Sequence, residues 1–344
     1  MSIIPQEVPT GAIRYNTDSN KMECFNGTKW MQVAVSSPDL NGGARGVNMG
    51  GGEPATNIID FITISTAGNA TDFGDLSQTR HRGAAASSRT RALAMGGTTV
   101  PAMVNTIDYI TIASTGDAIN FGDLSTSNGV NGNAGASNQT RGLSIGGFHM
   151  TPNQTGVDEI DYVTIATTGD AVDFGDLYSG DLMYHGACAS STRAVVAGGY
   201  DSPTGINTIQ YITIATTGNS QDFGDMTVAG FRMGAASNST RGLFSIGETS
   251  SDGQSIVDSL QIASTGNSMR FGNLSAAGQH ATGMASSTRA VFVGRQGPAP
   301  YPADATMDYF AIATEGTAVE FGERTTGTTN SWGACSSSNG HGGL

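Results

Sequence analysis

The chain has 344 residues and a formal charge of −13, and its lysines, Lys21 and Lys29, both stand near the start. That balance argues against nucleic acid as a partner, because phosphate binding needs a basic stripe. No run of 18 apolar residues exists, so no membrane insertion is expected. Cys24, Cys188 and Cys335 show neither metal-ligand spacing nor a disulfide framework. No cofactor or metal is expected. Met1–Thr10 lacks a basic end and an apolar stretch, so no secretory signal is expected either.

In chain order, residues 1–37 come first. Gly11–Tyr15, Lys21–Phe25 and Lys29–Val35, with turns at Asn16–Asn20 and Asn26–Thr28, predict a three-stranded meander. Asn26-Gly27 suits a hairpin turn because both residues tolerate positive φ. A sheet this small barely buries a core alone. It is therefore expected to dock on the rest of the chain, on another copy, or on a larger assembly. Residues 38–43 read as a linker into the second domain, 38–344.

From there one unit repeats. The Phe of an F-G-[DNE] signature falls at Phe73, Phe121, Phe174, Phe223, Phe271 and Phe321, in steps of 48, 53, 49, 48 and 50. An alternating run begins at Ile59, Ile107, Ile160, Ile209, Val257 and Met307. A run starting with arginine recurs at Arg45, Arg91, Arg141, Arg193, Arg241 and Arg289. A run of Ala, Ser and Gly recurs near Gly83, Asn133, Gly186, Gly234, Gly283 and Gly333. Four candidate strands at a period near 50 predict an all-β fold, a six-bladed β-propeller. The small-residue strand suits the crowded axis. The Phe is expected to wedge between blades, and its Gly to permit a bulge. The first arginine run has no small-residue run before it, and the last small-residue run, Trp332–Ser338, has no arginine run after it. The last strand is therefore expected to complete the first blade and close the ring, which removes exposed sheet edges.

The segment G-A-I-R-Y-N-T-D-S-N-K-M-E-x-F-N-G-T-x-W resembles one common near the N-termini of tailed-bacteriophage fibre and virion structural proteins. The phrasing I-D-Y-[IV]-T-I-A-[ST]-T-G-[DN]-A-x-[DN]-F-G-D-L resembles the repeats of kelch-like virion proteins of marine phages. The resemblance implies a non-enzymatic virion structural protein, tail- or fibre-associated. Residues 1–37 would bind other virion proteins, and a loop face would contact a host-surface glycan or protein. Non-adhesive decoration of tail or capsid is the alternative. A glycan-processing enzyme is a weaker one, since no nucleophile–base motif is visible. Phage fibres are usually trimers, which allows a homo-oligomer, but no heptad stalk argues for one.

Up-and-down blades place alternate connections on opposite faces. The one-to-two and three-to-four turns are short and uniform (SSTR, TTGDA). The two-to-three and four-to-one connections vary (TTVPAMVNT, RQGPAPYPADAT, YSGDLMYH), as recognition loops on rigid scaffolds do. They carry the candidate binding residues Phe148, Tyr178, Tyr184, His185, Tyr200, Phe231, Tyr301 and Trp332. Such aromatics suit sugar or protein contacts. His81, His185 and His280 could also suggest a metal, but their offsets differ, and solvated loop histidines are the expectation. The F-G-[DNE] acids are expected to accept backbone hydrogen bonds in their own turns. The repeated arginines are expected to bond turn carbonyls or neighbouring acids.

Overall fold

The computed structural model describes residues 8–17, 21–32, 44–99, 102–149, 155–249, 252–298, 302–325 and 332–344. Among them every regular element is a β-strand, and no helix is long and apolar enough to cross a membrane. The chain divides into two compact units, Met1–Gly42 and Gly43–Leu344. The linker expected at 38–43 lies outside the described residues.

The first unit is an antiparallel sheet of Ile13–Asn16, Lys21–Phe25 and Trp30–Gln32. Asn26 shapes its hairpin: Oδ1 accepts from the N–H groups of Thr28 and Lys29 at 3.0 and 2.9 Å. Ile13 and Met31 both lie opposite Cys24, and Tyr15 lies opposite Met22. These five residues therefore share one face. Ile13, Tyr15, Met22 and Met31 are all exposed there. On the other face Arg14 pairs with Glu23 at 2.8 Å and lies 4.1 Å from the Trp30 ring centre.

The second unit holds six sheets, antiparallel but for one short parallel pairing, and each begins from a small-residue strand. Sheet one is Cys335–Ser338, Arg45–Gly51, Thr56–Thr63 and Thr71–Asp75. Sheet two is Ala84–Ser87, Arg91–Met95, Thr106–Thr111 and Ile119–Asp123. Sheet three is Ala134–Ser137, Arg141–His149, Thr155–Thr164 and Val172–Asp176. Sheet four is Gly186–Ala189, Arg193–Ala197, Thr204–Thr213 and Gln221–Gly230, with Tyr200–Asp201 added on Thr204–Thr213. Sheet five is Gly234–Ser237, Arg241–Ser245, Gln254–Gln261 and Met269–Gly278, with Gly316–Thr317 added in parallel on Met269–Gly278. Sheet six is Thr282–Ala285, Arg289–Gln296, Ala303–Ala311 and Val319–Glu323.

Both faces of each sheet are covered, so the core is divided between sheets. Val47, Ile59 and Phe73 of sheet one pack on Ala92, Ala94 and Ile110 of sheet two. Every later pair shares a similar cluster. Sheets six and one share another, where Phe321 and Met284 meet Ile62 and Ile64. The small-residue strands likewise touch in a cycle, with Cys335–Ser338 contacting both Thr282–Ala285 and Ala84–Ser87. Cys188 and Cys335 are free, buried members of these clusters. Burial pushes their thiols up to about 12 and about 11.

The repeated motifs turn out to be joints between sheets. The F-G-[DNE] strand slips register at its Phe, for example between Asn120 and Gly122, and this bulge turns the ring into the core. The Phe carbonyl then accepts from the Gly N–H of the next sheet's three-to-four turn. The pairs Phe73–Gly116, Phe121–Gly169, Phe174–Gly218, Phe223–Gly266 and Phe321–Gly68 span 2.7–2.9 Å. The acids do not cap their own turns as expected. It is instead the backbone N–H of Asp75, Asp123, Asp176, Asp225 and Glu323 that donates, to the side chains of Asp117, Asp170, Asn219, Asn267 and Asn69. The edge strand lacks a partner within its sheet, and the next sheet's turn supplies one.

The arginines take carbonyls. Arg45, Arg141, Arg193 and Arg241 donate to the main-chain oxygens of Ile112, Ile214, Ile262 and Ile312 at 2.8–3.0 Å. Arg91 and Arg289 reach Ala166 and Ser65 at 2.9 and 2.8 Å. Each acceptor lies on the following sheet, and Arg289 returns to sheet one. A third joint is buried. Asp108 accepts from the Ser77 hydroxyl at 2.8 Å and from Arg80 at 2.5 Å, and the Asp108 and Arg80 side chains are fully enclosed. Arg324 meets Asp60 in the same way at 3.1 Å.

Candidate functional site: the mouth of the central cavity

The small-residue strands of all six sheets line a cavity of about 130 Å³. Its two ends are built differently. Near one end, the residues after the last strand cross from sheet to sheet. Asn339 Oδ1 accepts from Arg45 N–H at 2.8 Å. The His341 ring lies 3.2 Å from both Ser137 Oγ and the Ser87 carbonyl. Gly342 N–H donates to the Ser237 carbonyl at 2.8 Å, and a Cβ there would press on Asn238 and Ala189. A Cβ on Gly340 would meet Ala44 and approach Ser286. Residues 339–344 thus touch all six sheets and stopper that end.

At the other end the four-to-one connections bridge to the two-to-three hairpins of the next sheet, through His81–Thr98, Asn131–Phe148, Met183–Tyr200, Phe231–Glu248 and Gln279–Gln296. The variable connections therefore gather on one side. Two residues before each small-residue strand stand Arg82, Gly132, Tyr184, Arg232, His280 and Gly333, with φ of 58, 68, 57, 56, 60 and 63°. Their backbones link head to tail around the opening. Gly132 donates to Arg82, Tyr184 to Gly132, Met233 to Tyr184, His280 to Arg232, Gly333 to His280 and Arg82 to Gly333, at 2.7–3.2 Å. Left-handed backbone costs a non-glycine residue about 1–2 kcal/mol, so four such side chains at one opening mark a site rather than a plain turn. All six residues line a pocket of about 70 Å³ above the larger cavity.

The chemistry of this mouth is cationic and aromatic. The guanidinium carbons of Arg82 and Arg232 each lie 5.7 Å from the Tyr184 ring centre. Arg82 also lies 4.8 Å from that of Trp332, a cation–π distance. Arg232 is ion-paired with Glu248 and hydrogen-bonded to Gln279. Arg82 has no ion pair among the described residues, and its buried Nε has no acceptor. Burial lowers the Arg82 pKa and Arg232 lowers it further, while Tyr184 and Glu53 act the other way. Burial raises the Tyr184 hydroxyl in spite of both arginines. His280, buried and with Nε2 unpartnered, is held well below its usual range by burial first and by Arg82 and Arg232 next.

The predicted binding residues separate into groups. Tyr184 is half-buried at the mouth. Phe148 is 2% exposed and lies beneath it, with ring centres 5.3 Å apart. Trp332, also 2% exposed, stacks on His81 and His280 at 5.7 and 5.2 Å. His185 is buried and lines both cavities. Phe148, His185 and Trp332 are therefore not the open contact groups expected of them. The left-handed turn sets the residue at its own position at the mouth, and Phe148 and Trp332 pack against Tyr184 and His280 there. His81, His185 and His280 are also buried rather than solvated. Among the described residues no metal-binding group forms. Tyr200 and Phe231 make a half-buried pair 5.0 Å apart beside Arg232. Tyr178 stands 64% exposed. Tyr301 lies outside the described residues. Reading the sequence from aromatics missed Arg82 and Arg232. Aligning the repeats on the small-residue strand would have found them, at a position that alternates glycine with large polar residues.

No protein-family model matches this chain, and no curated protein matches it.

Proposed function

We propose that Gly43–Leu344 is a six-bladed kelch-like β-propeller, and that the protein is a tail- or fibre-associated structural component of a tailed-phage virion. On this reading residues 1–37 hold it in the particle, and the mouth face meets a host-surface glycan or protein. The asymmetry of the two cavity ends carries the binding part. One end is stoppered by residues 339–344. The other gathers the variable connections, the strained non-glycine positions and the arginines. Rigid scaffolds with one specialised face are used in this way. The propeller reading draws on the cyclic sheet contacts together with the repeat period. The anchoring reading draws on the exposed Ile13, Tyr15, Met22 and Met31, which leave an apolar sheet face to be covered by a partner.

Immunogold electron microscopy of particles with an antibody to Gly43–Leu344 tests it. Label is expected on tails or fibres, and deletion of residues 1–37 is expected to abolish incorporation. Label on the head would replace adhesion with capsid decoration, and particles without label would overturn the virion assignment.

A further inference from the structure

The mouth places two guanidinium groups beside one small pocket, within a protein whose overall charge is −13. Repulsion from the protein as a whole disfavours a polyanion there. A single small anion faces a different local balance. Glu248 neutralises Arg232 but not Arg82, and exposed Glu53 acts on Arg82 only at a distance. The buried Nε of Arg82 and Nε2 of His280 are polar atoms left without partners beside the same pocket. A buried donor without an acceptor is costly, and a bound oxyanion would supply the acceptor that the Arg82 Nε–H lacks. The pocket, about 70 Å³, has room for a carboxylate. Tyr184 and His280 line it with their rings 5.5 Å apart, and Trp332 packs against His280 outside the lining. Arginine is the side chain best matched to a planar carboxylate.

We infer that the mouth binds the carboxylate of an acidic sugar, with Arg82 as its principal partner and Arg232 and His280 beside it. This rests on the reading of the mouth face as a glycan-binding face. Arg82 stands at φ 58° where the equivalent residues 132 and 333 are glycine, so the backbone there accepts glycine without strain.

The test is titration of the full chain with sodium glucuronate, followed by NMR, alongside methyl glucoside and sodium sulfate. Glucuronate is expected to bind and methyl glucoside not. R82G is expected to weaken glucuronate at least tenfold while its melting temperature stays equal or rises. Loss of melting temperature in R82G with glucuronate binding unchanged would make Arg82 a structural residue and overturn the inference. Sulfate binding as tight as glucuronate would remove the sugar from it. Glucoside binding that ignores R82G would overturn the carboxylate assignment and leave the glycan-binding face standing. Absence of all binding would overturn the inference, whereas the virion assignment is decided separately by the particle labelling.

Discussion

Three buried histidines and the half-buried His341 hold protons poorly in the folded protein. His81, His185 and His341 are lowered to about 4, chiefly by burial, and His280 is held well below its usual range, again chiefly by burial. The unfolded chain protonates each near its usual 6.5, so it binds more protons than the folded one in between. Stability is therefore full above about pH 6.5 and falls as pH drops toward 4, by about 1.4 kcal/mol per pH unit for each group. Glu159, Asp161 and Asp181, raised mainly by burial, work in the opposite direction and offset part of this. Denaturant unfolding at pH 7, 6 and 5 should show the net decline, and His341→Gln should flatten it by about one group's share. An unchanged slope would mean that His341 is not buried in its neutral form. At this scale the sequence was only partly legible. The histidines were visible, but the setting of His81, His185 and His280 depends on a left-handed turn that only comparison between repeats reveals, and that of His341 depends on the path of residues 339–344. The F-G-[DNE] acid misled for a related reason. Its recurrence was visible, but the partner of its backbone lies in the next repeat.

Strands and turns were far more legible, because each motif recurs with the same job. Phe121 buries its ring, and Gly122 lets the edge strand approach the neighbouring turn. A Cβ on Gly122, where φ is +155°, would stand 2.3 Å from the Gly169 carbonyl oxygen. Gly169 itself has φ +156° and open space around its would-be Cβ. The two positions share backbone strain and differ in the clash. Gly122→Ala should cost about 2–4 kcal/mol and Gly169→Ala about 1–2 kcal/mol. Equal melting temperatures for the two variants would show that this joint between sheets is loose. The small-residue strands were legible for the same reason, since crowding around the cavity leaves room for Ala, Ser and Gly. The extent of the two-to-three hairpins was not. Arg141–His149 with Thr155–Thr164 outruns its counterparts, and nothing in the local alternation foretells its length.

At the scale of the whole molecule, the incomplete first and last repeats pointed to the pairing now seen between Cys335–Ser338 and Arg45–Gly51. The stopper that follows was not foreseen, because NGHGGL carries no strand pattern and its glycines suit a chain end equally well. It fits because glycine lets the backbone press against six strands: a Cβ on Gly343 would stand 1.8 Å from the Ser137 carbonyl oxygen. Removing residues 339–344 should lower the melting temperature while unfolding stays cooperative. Removing 335–344 also strips sheet one of a strand, and should broaden or abolish the transition. Equal melting curves for the two truncations would refute the importance of that strand.

The pairing of these two strands also sets a timetable for synthesis. Asn48 and Ser336, joined by a 2.8 Å hydrogen bond, are 288 residues apart. At ~5–20 residues per second a ribosome needs about 15–60 s to travel between them. Through that interval the Arg45–Gly51 edge has left the exit tunnel and has no partner, while the later sheets emerge one after another. The nascent chain thus carries one open edge for most of its translation, and the hazard of mispairing between neighbouring polysomal chains is concentrated on that strand.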